Sequence, residues 1–131
     1  MVFAFGRFNP PTGGHAKLMS RVITEARKNN ANHIVYASAS TDRRSNPLDV
    51  NTKVRFMKKM FPANNIKAAG GNQRTFMEIL KFFNKMYGNI IMIAGSDRIS
   101  EFQKLANAYN GRDYNYKSIR LVSSGERDPD A

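Results

Sequence analysis

Short apolar runs that alternate with helix-spaced stretches predict an α/β fold, a doubly wound parallel sheet of about five strands with helices on both faces. Two further observations support this. The run Asn89 to Ala94 is nearly all apolar, as suits a strand covered on both sides. No internal repeat, low-complexity tract or long linker divides the 131 residues, so a single domain, 1–131, is expected.

The elements follow in order. Val2 to Phe5 reads as a buried strand, ending in the turn-forming Asn9-Pro10-Pro11-Thr12-Gly13-Gly14. From His15 to Lys28, Leu18, Met19, Val22, Ile23 and Ala26 recur at helical spacing. His33 to Ala39 is a second strand, and Thr41 to Leu48 a polar loop. Asp49 or Asn51 is placed to cap a helix whose Val50, Val54, Met57 and Phe61 share a face, with Pro62 ending it. On that helix Lys53, Arg55, Lys58 and Lys59 read as a wet face. Ile66 to Ala69 is a short third strand. Thr75 to Tyr87 is an amphipathic helix with the stripe Phe76, Ile79, Leu80, Phe83 and Met86, stopped by Gly88. After the fourth strand, a helix carries Ile99, Phe102 and Leu105, and Ser118 to Ser123 is the fifth strand. Methionines are expected in the core.

Composition narrows the partners. The chain has no cysteine, which removes disulfides and thiolate chemistry. No run approaches the ~20 apolar residues of a membrane span, and Met1 to Phe8 runs into Pro10 and Pro11 too soon for a signal peptide. A soluble cytoplasmic protein is the expectation. Lys and Arg number 21 against 10 Asp and Glu, a net charge of +11, which points to an anionic partner. Charge alone does not choose between a nucleotide and a nucleic acid, and a solubilising surface is the plain alternative.

In an open parallel sheet, ligands bind beyond the carboxyl ends of the strands, near the switch in strand order. The loops there are Gly6 to Gly14, Ser38 to Leu48, Gly95 to Arg98 and Ser123 onward. The most specific segment is Gly6-Arg7-Phe8-Asn9-Pro10-Pro11-Thr12-Gly13-Gly14-His15. A strand ends in a Gly and Pro loop, and a helix opens at or just after His15. The amides at a helix start favour an anion. Gly13 and Gly14 admit close backbone approach to a phosphate. Thr12 offers a hydroxyl, and His15 a donor to a phosphoryl oxygen as charge grows on it. The structural alternative is a tight loop with a capping Thr and an incidental His.

This segment resembles the first signature of the HxGH nucleotidyltransferase superfamily. That superfamily includes nicotinamide mononucleotide and phosphopantetheine adenylyltransferases and the glycerol-phosphate and choline-phosphate cytidylyltransferases. Its pattern is Gly-x-Phe-(Asn/Asp)-Pro, then (His/Thr)-x-Gly-His. Gly6, Phe8, Asn9 and Pro10 match the first part, and Thr12, Gly14 and His15 the second. Gly-Arg-Phe-Asn-Pro is most similar to nicotinamide mononucleotide adenylyltransferases and to related phage-encoded domains, for which the compartment would be the host cytoplasm.

The resemblance implies a Rossmann-like domain that transfers a nucleotidyl group to a phosphate-bearing acceptor and releases pyrophosphate. His15 would hydrogen-bond the α-phosphate with Thr12 assisting, and Gly6, Arg7, Phe8, Asn9 and Gly14 would line the phosphate site. Magnesium would bridge the phosphates, mainly through nucleotide oxygens. ATP with nicotinamide mononucleotide is the leading pair, and CTP the alternative nucleotide.

Two more segments enter through the resemblance. Gly95-Ser96-Asp97-Arg98 stands where the family contacts the nucleotide, commonly its ribose, and helix capping by Ser96 or Asp97 is the structural alternative. Arg43 and Arg44 stand where a basic residue often meets substrate phosphate, against a reading as solvated loop charge.

The family's second signature, a Ser/Thr-x-x-Arg helix start after the fifth strand, has no match between Ser118 and Ala131. Asp128-Pro129-Asp130-Ala131 reads as a loop interrupted midway, so a sequence ending before that helix is expected, with weak or absent activity. A non-catalytic module that holds nucleic acid or a protein partner is the rival from another class. His33 reads as structural, and Tyr109, Tyr114 and Tyr116 as a packed connection more than a base-stacking surface.

Overall fold

The computed structural model describes residues 1–8, 15–38 and 50–125. Strands β1 (Val2–Gly6), β2 (His33–Ala37), β3 (Ile66–Ala68), β4 (Asn89–Ala94) and β5 (Ser118–Ser123) alternate with helices α1 (Ala16–Lys28), α2 (Val50–Met60), α3 (Phe76–Asn84) and α4 (Ile99–Tyr109). The strands form one sheet in the order β3-β2-β1-β4-β5, and every pairing is parallel. The fold is the expected doubly wound α/β arrangement.

Alternation along each strand divides the core into two layers. Val2, Ala4, Val35, Ala37, Ile91 and Ile93 face Met19, Val22 and Ala26 of α1 and Val54 and Met57 of α2. Phe3, Tyr36, Ile90 and Met92 face the other way, against Phe76, Ile79, Leu80 and Phe83 of α3 and Ala106 of α4. Burying each large apolar side chain contributes roughly 1.5–3 kcal/mol, and filling both faces explains why β4 is apolar almost throughout.

Local chemistry sets the helix ends. Thr75 caps α3, its hydroxyl accepting from the Glu78 amide at 3.2 Å. α1 ends in a Schellman arrangement. Asn30 takes the left-handed conformation there (φ 49°), and the Ala31 amide reaches back to the Ala26 carbonyl at 2.8 Å.

Several expectations need correction. α3 stops at Asn84, so Met86 falls outside the helix and is 58% exposed instead of completing the stripe. On α4 it is Ala106, not Leu105, that enters the core. Met60 is exposed as well, so the methionines are only partly core residues. Asn51 lies inside α2 and does not cap it, while Asp49 lies outside the described residues. β3 ends one residue early, at Ala68. Among the described residues, no helix is long and apolar enough to cross a membrane.

Candidate functional site

β1 lies beside both β2 and β4, so the switch in strand order falls between β1 and β4. β1 pairs with β2 along its whole length, from Val2–His33 to Gly6–Ala37. With β4 the ladder has only the pairs Val2–Ile91 and Phe3–Met92. Over Ala4 to Gly6 the ladder therefore continues on the β2 side alone. The loops after β1 and β4 emerge at that crevice, where open α/β sheets bind ligands.

The β1 exit is closely fitted. Phe8 is buried yet has φ 51°, a left-handed conformation that costs a bulky residue roughly 1–2 kcal/mol. Its ring is held in the core cluster of the α1/α2 layer and lies against Gly6, where a Cβ would come within 3.1 Å of the Phe8 ring. A side chain at position 6 would press on that ring, so close approach favours glycine there. The His15 ring stands edge-on to Phe8, with centroids 4.8 Å apart and planes at 74°. His15 occupies the N-cap position of α1 without capping it through its side chain. Its half-buried ring stands at the helix start, the position expected for a donor to an anion.

A second cation enters from α2. Lys53 is fully buried, a correction to its placement on a wet helix face; Arg55, Lys58 and Lys59 are exposed as expected. The Lys53 ammonium donates to the Arg7 carbonyl at 2.6 Å and to the Ser38 carbonyl at 3.0 Å. Those are the first residues beyond β1 and β2, and the Ser38 amide also donates to the Gly6 carbonyl at 2.8 Å. Lys53 therefore ties together the two chain segments that leave the sheet on one side of the crevice. Burial lowers its pKa from 10.5, and the neighbouring positive charge of Arg7 lowers it further. The sequence held the signal. Position 53 is three residues after Val50 and four before Met57, on the apolar stripe of α2.

At the β4 exit, Asp97 leans back over Gly95, so that a Cβ on Gly95 would meet its carboxylate oxygen at 2.8 Å. The residue at the N-cap of α4 is Arg98, with no side-chain cap bond, so neither Ser96 nor Asp97 caps that helix. Arg98 pairs with Glu101 at 3.5 Å and lies 4.7 Å over the Phe102 ring, which orders its guanidinium along its own helix.

Gly6, Arg7, Phe8 and His15 thus gather at the end of β1, and Gly95, Ser96, Asp97 and Arg98 at the end of neighbouring β4. Asn9, Thr12, Gly14, Arg43 and Arg44 lie outside the described residues. Among the described residues no three His, Cys, Asp or Glu side chains form a group that could hold a metal ion. His33 is structural, as expected. Its Nε2 accepts from the Asn65 amide at 3.0 Å, and burial lowers its pKa from 6.5. Tyr114 and Tyr116 are packed connections. Compared with protein-family models and with curated proteins, the chain matches none.

Proposed function

We propose that this domain is a nucleotidyltransferase of the HxGH type, with ATP as the favoured donor and a small phosphate-bearing acceptor such as nicotinamide mononucleotide. The observation that carries the reading is the position of His15. It opens α1 at the carboxyl end of β1, at the strand-order switch, and it ends the segment Gly6 to His15 whose residue pattern resembles the family signature.

In this reading an acceptor phosphate oxygen attacks the α-phosphorus of ATP while the bond to the bridging oxygen of pyrophosphate breaks. No covalent enzyme intermediate forms. His15 donates to a non-bridging α-phosphate oxygen and stabilises its growing charge. Arg7 adds positive potential at the β1 exit, and Asp97 accepts from ribose hydroxyls at the β4 exit. Asn9, Thr12, Gly14, Arg43 and Arg44 enter through the resemblance alone. Magnesium, implied by the resemblance, would be held mainly by the nucleotide's phosphate oxygens and would neutralise their charge. Catalysis is then mostly positioning.

Pyrophosphate release is the test, with ATP or CTP and nicotinamide mononucleotide, alongside a thermal-shift titration with each nucleotide. Without a match to the second signature, only slow release with ATP is expected, together with a raised melting temperature. Release with CTP alone moves the reading to a cytidylyltransferase. No release and no shift with either nucleotide overturns the class.

A further inference from the structure

Charge is divided unequally between the two helical layers. α1 carries Lys17, Arg21, Arg27 and Lys28 against the single acid Glu25, and that glutamate is buried and paired with Arg21 at 2.9 Å. α2 carries Lys53, Arg55, Lys58 and Lys59 and no acid. α3 and α4 are balanced, each with one Glu and one Lys. Both cationic helices pack on the same face of the sheet, α1 over β1, β2 and β4 and α2 over β2 and β3. All of their basic residues but Lys53 are exposed.

The outward arc of α2 adds a second property. Phe56 is 47% exposed and Met60 40%, one helical turn apart, next to the stripe of Arg55 and Lys59. On α1, Lys17, Arg21 and Lys28 fall on one stripe, the first two about 6 Å apart along the axis. A row of cations over two helices suits a polyanion better than a lone phosphate. An exposed aromatic ring among them suits the face of an unpaired base.

We propose that the outer face of α1 and α2 is a docking surface for single-stranded nucleic acid. Lys17, Arg21, Arg55, Lys58 and Lys59 meet the phosphates, and Phe56 stacks on a base. A duplex offers no free base face to Phe56, so single strands are preferred. Apart from Lys17, in the first turn of α1 beside His15, the surface is made of residues further along the two helices, and it stands or falls independently of the nucleotidyltransferase reading.

The test is fluorescence anisotropy with a labelled oligothymidylate of about 16 nucleotides, titrated with salt, using the whole chain and variants whose folding is checked by circular dichroism and melting. Phe56→Ala should weaken binding about tenfold and leave the salt slope unchanged. The double variant Lys58→Gln/Lys59→Gln should flatten that slope by about 1.4. Lys81→Gln/Lys104→Gln, on the balanced layer, should change neither, and excess ATP should leave the oligonucleotide bound. The proposal is overturned by no binding, by equal affinity for duplex, by indifference to Phe56→Ala, or by equal losses from both helical layers. It is also overturned by displacement with ATP, or by attachment of the same face to phosphatidylserine vesicles with no affinity for the oligonucleotide.

Discussion

The two core layers are built from different materials. Beneath α1 and α2 the sheet meets mostly aliphatic side chains and methionine, with the Phe8 ring and two buried charges, Glu25 and Lys53. Beneath α3 and α4 it meets aromatic rings, and the buried polar atoms are hydroxyls. Tyr114 donates to the Ala106 carbonyl at 2.6 Å, Tyr116 to the Leu80 carbonyl at 2.6 Å, and Tyr36 to Gln73. The tyrosines join one part of the scaffold to another. Lys53 instead joins the scaffold to the segments that leave β1 and β2 at the crevice. A neutral hydroxyl satisfies one acceptor at little desolvation cost, whereas a buried ammonium is costly unless several acceptors meet it. That difference separates a layer tied within the scaffold from one that also holds the segments leaving β1 and β2 at the crevice.

Exchanging function for stability between the layers is the strongest way to break this contrast. Lys53→Met removes the charge-assisted hydrogen bonds to the Arg7 and Ser38 carbonyls but also ends the desolvation of the ammonium, so stability should change by only about 1 kcal/mol. Pyrophosphate release should fall on the order of 100-fold, because the Arg7 and Ser38 segments lose their common tie. Tyr116→Phe should do the reverse, costing about 1 kcal/mol in urea unfolding with turnover unchanged. Similar losses of activity from both variants would erase the distinction.

The two glycines at the crevice sharpen the comparison within the site. Gly6→Ala presses a Cβ on the buried Phe8 ring and should cost about 1–3 kcal/mol. Gly95→Ala meets only the movable end of Asp97. It should leave the melting temperature nearly unchanged and weaken nucleotide binding several-fold by displacing that carboxylate, as titration calorimetry would show.

Alkaline pH probes the aromatic layer. Burial raises the pKa of Tyr36 and Tyr114 from 10 to about 12, with nearby Asp113 and Tyr109 adding to the shift at Tyr114, and raises that of Tyr116 further still. The folded form holds protons that the unfolded chain releases at about 10, so this stability is complete below pH 10 and lost as pH climbs through 12. Lys53 has the opposite sign, since its folded pKa lies below 10.5 and its burial penalty eases as pH rises to that value. Unfolding midpoints above pH 10 should therefore fall less steeply in Tyr116→Phe than in the parent. The smallest effect belongs to His33, whose folded pKa lies below 6.5. Its contribution is present above pH 6.5 and lost as pH falls below it, and His33→Gln should weaken that acid dependence.

Much of the architecture was legible because hydrophobic period and turn residues agree. β4 and β5 begin and end where apolar runs and polar breaks place them, and His15 stands at the start of α1 as the Gly and Pro loop implies. What escaped depends on contacts between distant segments. The place of Lys53 on the apolar stripe is a sequence signal for burial, but the acceptors that make burial tolerable, the carbonyls of Arg7 and Ser38, come from distant segments. The left-handed Phe8, its contact with Gly6 and the shortened β1–β4 ladder have no local sequence signal, because each arises from packing of the completed sheet. Met86 misled because helical spacing continues past the residue at which the helix ends.

The central claim concerns the imidazole at the start of α1, and replacing it tests that claim most directly. His15→Ala should lower the rate of ATP-dependent pyrophosphate release by at least ~100-fold, while circular dichroism and the urea midpoint stay close to those of the parent. A variant that folds normally and turns over at the parental rate would contradict the role assigned to His15.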